Sequence, residues 1–145
     1  MKCKTVIDPT RDEEVILYVH ERNDLCQRIE QLVAESPHEW VGYRGREIVM
    51  LRPCDVVCFT VEDGKVYALT DSERLRVMER LYMIEQNLDS DFVKINQSCI
   101  ANIKKIDRFE ASFAGALLVR FQNGHSDYVS RRQLKTVKER IGFRL

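Results

Sequence analysis

Residues 92–106 read FVKINQSCIANIKKI, and the reading of this stretch decides the reading of the chain. In Phe92-Val93-Lys94-Ile95 most side chains are apolar, as in a strand whose residues serve a core. The pattern then breaks into Asn96-Gln97-Ser98 before apolar residues resume at Cys99 and Ile100. Amides and a hydroxyl beside Lys94 are the groups that reach base edges and phosphates. The competing reading is an ordinary polar turn that caps its own backbone.

Working outward, the flanks are also β-rich. Upstream, GREIVMLRP, DVVCFTV and KVYALT are dense in β-branched and aromatic residues. Glu62-Asp63-Gly64-Lys65 places Asp-Gly between two such runs, a hairpin signal. Residues 78–88 read as a helix with Met78, Leu81, Tyr82 and Leu88 on one face, whereas periodicity leaves the preceding RLRV open between helix and strand. Downstream, ALLVRFQNGHSDYVS predicts a second hairpin around Asn123-Gly124.

The chain ends in a helix whose start is well marked. Ser130 and Gln133 form an S-x-x-Q capping box, with Val129 and Leu134 as a hydrophobic staple. Leu134, Val137 and Ile141 line one face, and Gly142 ends it. Arg131 and Arg132 therefore occupy the first turn, where the helix end is already partly positive. Each cation there costs roughly 0.3–1 kcal/mol. A bound anion would offset that cost, since free backbone N–H groups and guanidinium forks suit phosphate oxygens or a guanine edge. The competing reading pairs both arginines with nearby acids such as Asp127.

The beginning of the chain reads as an appendage. MKCKTVID and EEVILYVH predict two short strands around Pro9-Thr10-Arg11-Asp12. An amphipathic helix over 24–35 follows, with Leu25, Ile29, Leu32 and Val33 on one face, Asn23 or Asp24 as cap and Ser36-Pro37 as terminator. This helix has two readings, completing the domain's core or offering a surface to a second copy or a partner. The turn-rich segment 36–47 is the expected boundary between an extension, 1–41, and a main domain, 42–145.

Composition narrows the function. At 145 residues with 44% hydrophobic and 32% charged residues, the chain suits one soluble domain. No apolar run of membrane-spanning length and no secretory leader is present, so the expected location is the cytoplasm. Five scattered cysteines without a CxxC pair fit a reducing compartment and no zinc set, and no cofactor is expected. The net charge of zero hides an asymmetry. Residues 92–145 carry 11 basic and 4 acidic side chains, a balance of +7, and the remainder carries the opposite. That points to a polyanion-facing surface. Catalysis is not indicated: GxGxxG, P-loop, GxSxG and HExxH are all missing, and His20, His38 and His125 have no paired nucleophile.

Taken in order, F-V-K-I-N-Q-S-C-I-A-N-I-K-K-I, a strand, N-G and Y-V-S-R-R resemble the LytTR DNA-binding domain, and I-V-M-L-R-P-C-D-V-V-C-F-T-V-E-D-G-K-V-Y resembles its first strands. The similarity covers roughly residues 42–142. Ala101 and Cys99 depart from the commoner residues of the family at their positions. The resemblance implies a mainly β fold with a few helices (α+β), an elongated antiparallel sheet carrying an N-terminal strand-strand-helix extension. It implies contact with double-stranded DNA through loops and the start of the last helix, by Lys65, then Asn96 and Gln97, then Arg131 and Arg132. Ser98, Lys94 and Lys135 join them as neighbouring polar and phosphate-directed groups. Arg132 is expected to read a base and Arg131 a phosphate, whereas Asn102 is assigned to turn structure. Stand-alone members, response-regulator-like but without a receiver, further imply paired direct-repeat half-sites, a homodimer and a membrane-protein inhibitor. The alternative is a protein-interaction module whose basic third binds an acidic partner or RNA.

Overall fold

The strand expected at residue 92 is β6, Phe92–Asn96, and it pairs antiparallel with β7, Cys99–Asn102. Between Lys94 and Asn96 the register shifts, so β6 carries one residue more than β7 at that point. The computed structural model describes residues 1–34, 39–112 and 115–143 of the chain. It falls into two units, Met1–Pro37 and His38–Leu145.

The larger unit is built on a seven-stranded antiparallel sheet ordered β2-β1-β5-β4-β3-β7-β6. Its remaining strands are β1 Trp40–Arg44, β2 Glu47–Leu51, β3 Cys58–Glu62, β4 Lys65–Leu69 and β5 Arg74–Val77. The segment RLRV is thus a strand. Asp63 (φ 50°) and Gly64 (φ 72°) close the β3–β4 hairpin with positive φ at both central residues, the turn whose twist matches paired strands. A second, three-stranded sheet is ordered β10-β9-β8, from β8 Ile106–Ala111, β9 Leu117–Phe121 and β10 Ser126–Val129.

Two apolar clusters divide the larger unit. Trp40, Phe59, Leu75, Ile84, Phe92 and Ile100 belong to the first, which includes α2, Leu81–Gln86. Val93, Ile95, Cys99, Val119, Phe121 and Val137 belong to the second, which joins the small sheet and α3, Arg131–Ile141. Phe92 and Ile95 fall in different clusters because successive strand residues face opposite ways.

The architecture is the mainly β, antiparallel fold expected, with three corrections. Among the described residues, 1–23 contain no strand, although MKCKTVID and EEVILYVH have the right composition. Val6, Ile7, Val15, Ile16 and Tyr18 are all exposed, and a strand needs a ladder partner and a face to bury. The stretch 36–47 supplies more than a linker, since β1 and its buried Trp40 lie inside it. In α2 the buried face is Ile84 with Leu81 and Leu88 beside it, while Met78 and Tyr82 are exposed. Only the part from Leu81 is helical, so the longer periodicity placed the wrong side chains inward.

In the smaller unit α1, Asp24–Ala34, begins as expected, with the Cys26 N–H donating to Asn23 Oδ1 at 3.0 Å. Its Leu25, Leu32 and Val33 are exposed. The expected terminator Ser36-Pro37 lies outside the described residues. No helix in the described residues is long and apolar enough to cross a membrane.

Candidate nucleic-acid interface

The helix-start arginines take their place from the strand beside them. The register shift in β6 frees the Ile95 carbonyl, which accepts the Ser130 N–H at 2.8 Å and pins the start of α3 to β6. Gln133 and Leu134 N–H then donate to the Ser130 carbonyl, both at 3.0 Å. The helix begins where the sequence placed it, yet the Ser130 side chain makes no capping hydrogen bond. The capping box does not form, because the Ser130 N–H that Gln133 would have capped is already taken by Ile95. Val137 is fully buried and Gly142 closes the helix with φ 82°.

Arg131, Arg132 and Lys135 are exposed, and none of their side chains has a hydrogen bond, ion pair or ring contact among the described residues. Asp127, the acid expected to compete for the arginines, is occupied otherwise. Its Oδ1 accepts from Asn96 Nδ2 at 3.0 Å and from the Tyr128 N–H at 2.8 Å. The unfavourable placement of two cations on a positive helix end is thus left uncompensated among the described residues.

Asn96, expected among the contact residues, is turned inward. It is only 5% exposed, and both ends of its amide are used internally. Nδ2 donates to Asp127 Oδ1 and, at 2.8 Å, to the Tyr128 carbonyl, and Oδ1 accepts the Ser98 N–H at 2.8 Å. One side chain therefore ties the β6–β7 turn to the strand that leads into α3. Burial produced by the register shift was invisible in the residue type. Gln97 and Ser98, which follow it, are exposed at the turn.

Lys94 lies apart from the arginines. It shares its face of β6 with Phe92, in the α2 cluster, and its ammonium lies 4.0 Å from Glu85 of α2. The arginines belong to the helix on the opposite face. Alternation along β6 would have shown this once α2 and α3 were assigned to different faces.

Lys65 opens β4 at the tip of the β3–β4 hairpin, exposed and without a partner among the described residues. Register places it near the other groups. Val61 pairs with Val66, Thr60 pairs with Cys99, and the Val61 N–H donates to the Ser98 carbonyl at 2.8 Å. The hairpin tip, the Gln97-Ser98 turn and the start of α3 hence share one end of the sheet. Asn102 serves its turn, donating to the Val56 carbonyl at 2.9 Å and accepting the Lys104 N–H at 3.1 Å.

Cys99 is buried, and a hydrogen bond with Cys58 together with burial holds its thiol well above the ordinary range. It is a protonated core group. Cys3 and Cys54 are the exposed thiols, so native protein titrated with a thiol reagent is expected to show two fast-reacting groups.

The family model of the LytTr DNA-binding domain matches residues 46–142, and the chain belongs to the LytTR family. Uncharacterized HTH-type transcriptional regulators of Staphylococcus aureus strains NCTC 8325 and N315 are 31% identical over 99% of this chain and 99% of theirs. A solved LytTr DNA-binding domain from Bacillus cereus superposes with a TM-score of 0.68, at 18% identity, covering 72% of this chain and 97% of that one. The helix-turn-helix in the relatives' names has no counterpart among the described residues, where five strands separate α2 from α3.

Proposed function

We propose that this chain is a sequence-specific regulator of transcription that grips double-stranded DNA with one end of its seven-stranded sheet. The observation that carries the reading is the pair Arg131 and Arg132, whose side chains have no partner among the described residues, at a helix N-terminus beside two exposed turns. Membership of the LytTR family and the names of the relatives support it. Arg132 reads a base edge in the major groove, Arg131 and Lys135 hold phosphates, and Gln97, Ser98 and Lys65 add contacts from the turns. Asn96 acts through these groups by fixing the turn and the strand before α3. Each copy covers one of two directly repeated half-sites, so two copies meet on the operator.

The alternative is an interaction module whose basic C-terminal third binds an acidic partner or RNA; a partner surface on α1 is a separate feature. Leu25, Leu32 and Val33 present an exposed apolar face on α1 that DNA would not use. That face is the natural surface for a second copy or for a membrane protein that restrains the regulator, and it is compatible with DNA binding by the larger unit.

The test is titration of the full chain against its own upstream intergenic duplex and a scrambled duplex of equal composition, at two salt concentrations. Tight, salt-sensitive binding many-fold in favour of the native duplex is the expected result. Equal affinity for both duplexes would move the function to the partner-binding reading.

A further inference from the structure

We infer that Arg52 and Arg80, both from the acidic part of the sequence, extend the DNA track across the width of the sheet. The inference rests on the DNA-binding reading above and adds residues to it. Its basis is a row of backbone pairings. Val49 pairs with Gly42, Gly42 with Val77, Val77 with Val66, and Val66 with Val61. The Val61 N–H reaches Ser98, so this row runs from β2 to the Gln97-Ser98 turn.

Every group assigned to DNA lies at or just past the same side of the row. Lys65 is one residue beyond it, and Ser98 stands at its end. Arg52 is three residues past Val49 where β2 leaves the sheet, and Arg80 three residues past Val77 where β5 gives way to α2. Both arginines are exposed, and neither side chain has a hydrogen bond, ion pair or ring contact among the described residues. Of the acids nearby, Glu62 is paired with Arg74, and Glu79 accepts the Trp40 indole N–H at 3.2 Å. Asp55 accepts from the Cys54 thiol at 3.9 Å, and Asp63 sits exposed in the hairpin. Glu79 and Asp55 keep their charges beside these neutral donors, and exposed Glu39 lies next outward from the Trp40–Leu51 pair. Yet neither arginine forms an ion pair with any of them among the described residues.

Spacing gives the row a scale. Neighbouring strands lie about 4.8 Å apart, so β2 and β6, six spacings apart, are separated by roughly 29 Å. At about 3.4 Å per base pair this spans roughly 8 base pairs. Arg52 and Arg80 then meet phosphates several base pairs from the base that Arg132 reads. They contribute affinity without sequence discrimination.

The experiment compares the full chain with Arg52→Ala/Arg80→Ala and with Arg132→Ala. Each is titrated over a salt series against a long native duplex, its scramble, and duplexes shortened from either side of the site. The double variant is expected to bind the long duplex more weakly. Its slope of log affinity against log salt should be shallower by about 0.9 for each arginine. Its preference for native over scrambled DNA should stay unchanged, and shortening the duplex on one side should erase its deficit. Unchanged affinity and slope in the double variant, with Arg132→Ala losing discrimination, would overturn the inference and leave the DNA reading intact. Failure of the wild type itself to prefer the native duplex would remove both.

Discussion

The two ends of the seven-stranded sheet carry similar numbers of cations and use them differently. At the end away from the hairpin tip, Arg44 pairs with Glu73 and Glu47, Lys105 with Asp71, and Lys104 with Asp91. Arg140, near the C-terminus of α3, donates to the carbonyls of Ser90 and Phe92. In the small sheet Arg120 and Arg108 both bond Glu110 and hold its carboxyl below the usual value. At the other end, Lys65, Arg131, Arg132 and Lys135 have no such partner among the described residues. Counting basic residues does not separate these ends; asking which of them are already satisfied does, with Arg46, exposed in the β1–β2 turn and without a side-chain partner among the described residues, as the exception. A cation left unpaired beside others of its kind is disfavoured in the free protein and becomes favourable when a polyanion arrives.

The sharpest way to break this comparison is at Asn96, which organises the unpaired end without facing solvent. Asn96→Ala strands Asp127, the Tyr128 carbonyl and the Ser98 N–H, and should cost roughly 2–4 kcal/mol. Urea denaturation measures it, and a loss below about 0.5 kcal/mol would show that the amide organises nothing. Next in size, Arg132→Ala should lose about 1–3 kcal/mol of DNA affinity and relax discrimination at one position, read by competition with single-base operator variants. Arg131→Glu should abolish binding while raising stability by roughly 0.5–1 kcal/mol, since an acid suits a helix N-terminus. Activity and stability moving in opposite directions is the signature of a residue kept for its ligand. Lys65→Ala and Lys135→Ala should each reduce the salt slope by about one without altering sequence preference. At the paired end, Lys104→Ala and Lys105→Ala should leave the slope unchanged and shift stability by no more than about 1 kcal/mol, as exposed ion pairs do.

Much of this was legible in the sequence where local chemistry and tertiary structure agree. Asp63-Gly64 and Asn123-Gly124 marked real hairpins, with Gly124 at φ 88°. Ser130 marked the first residue before α3, and Leu134 and Ile141 flank the buried Val137 as periodicity required. The rest depended on partners that sequence does not display. The apolar runs at 1–8 and 13–20 form no strand in the described residues, because composition cannot supply a neighbouring ladder. Met78 and Tyr82 were placed inward by a helical period that begins only at Leu81. Asn96 and Gln97 are adjacent polar residues with opposite fates, one buried and one exposed, and the register shift that parts them leaves no trace in composition. Arg52 and Arg80 escaped notice because charge was summed along the chain, whereas the sheet gathers residues far apart in sequence onto one end.

The most direct test of the central claim is to follow backbone amide shifts of isotope-labelled full chain as its operator duplex is added. The account predicts the largest changes at residues 62–65, 97–98 and 130–135, with residues 70–73, 103–105 and 122–125 little affected. Changes concentrated in that second set would place DNA at the paired end and contradict the account.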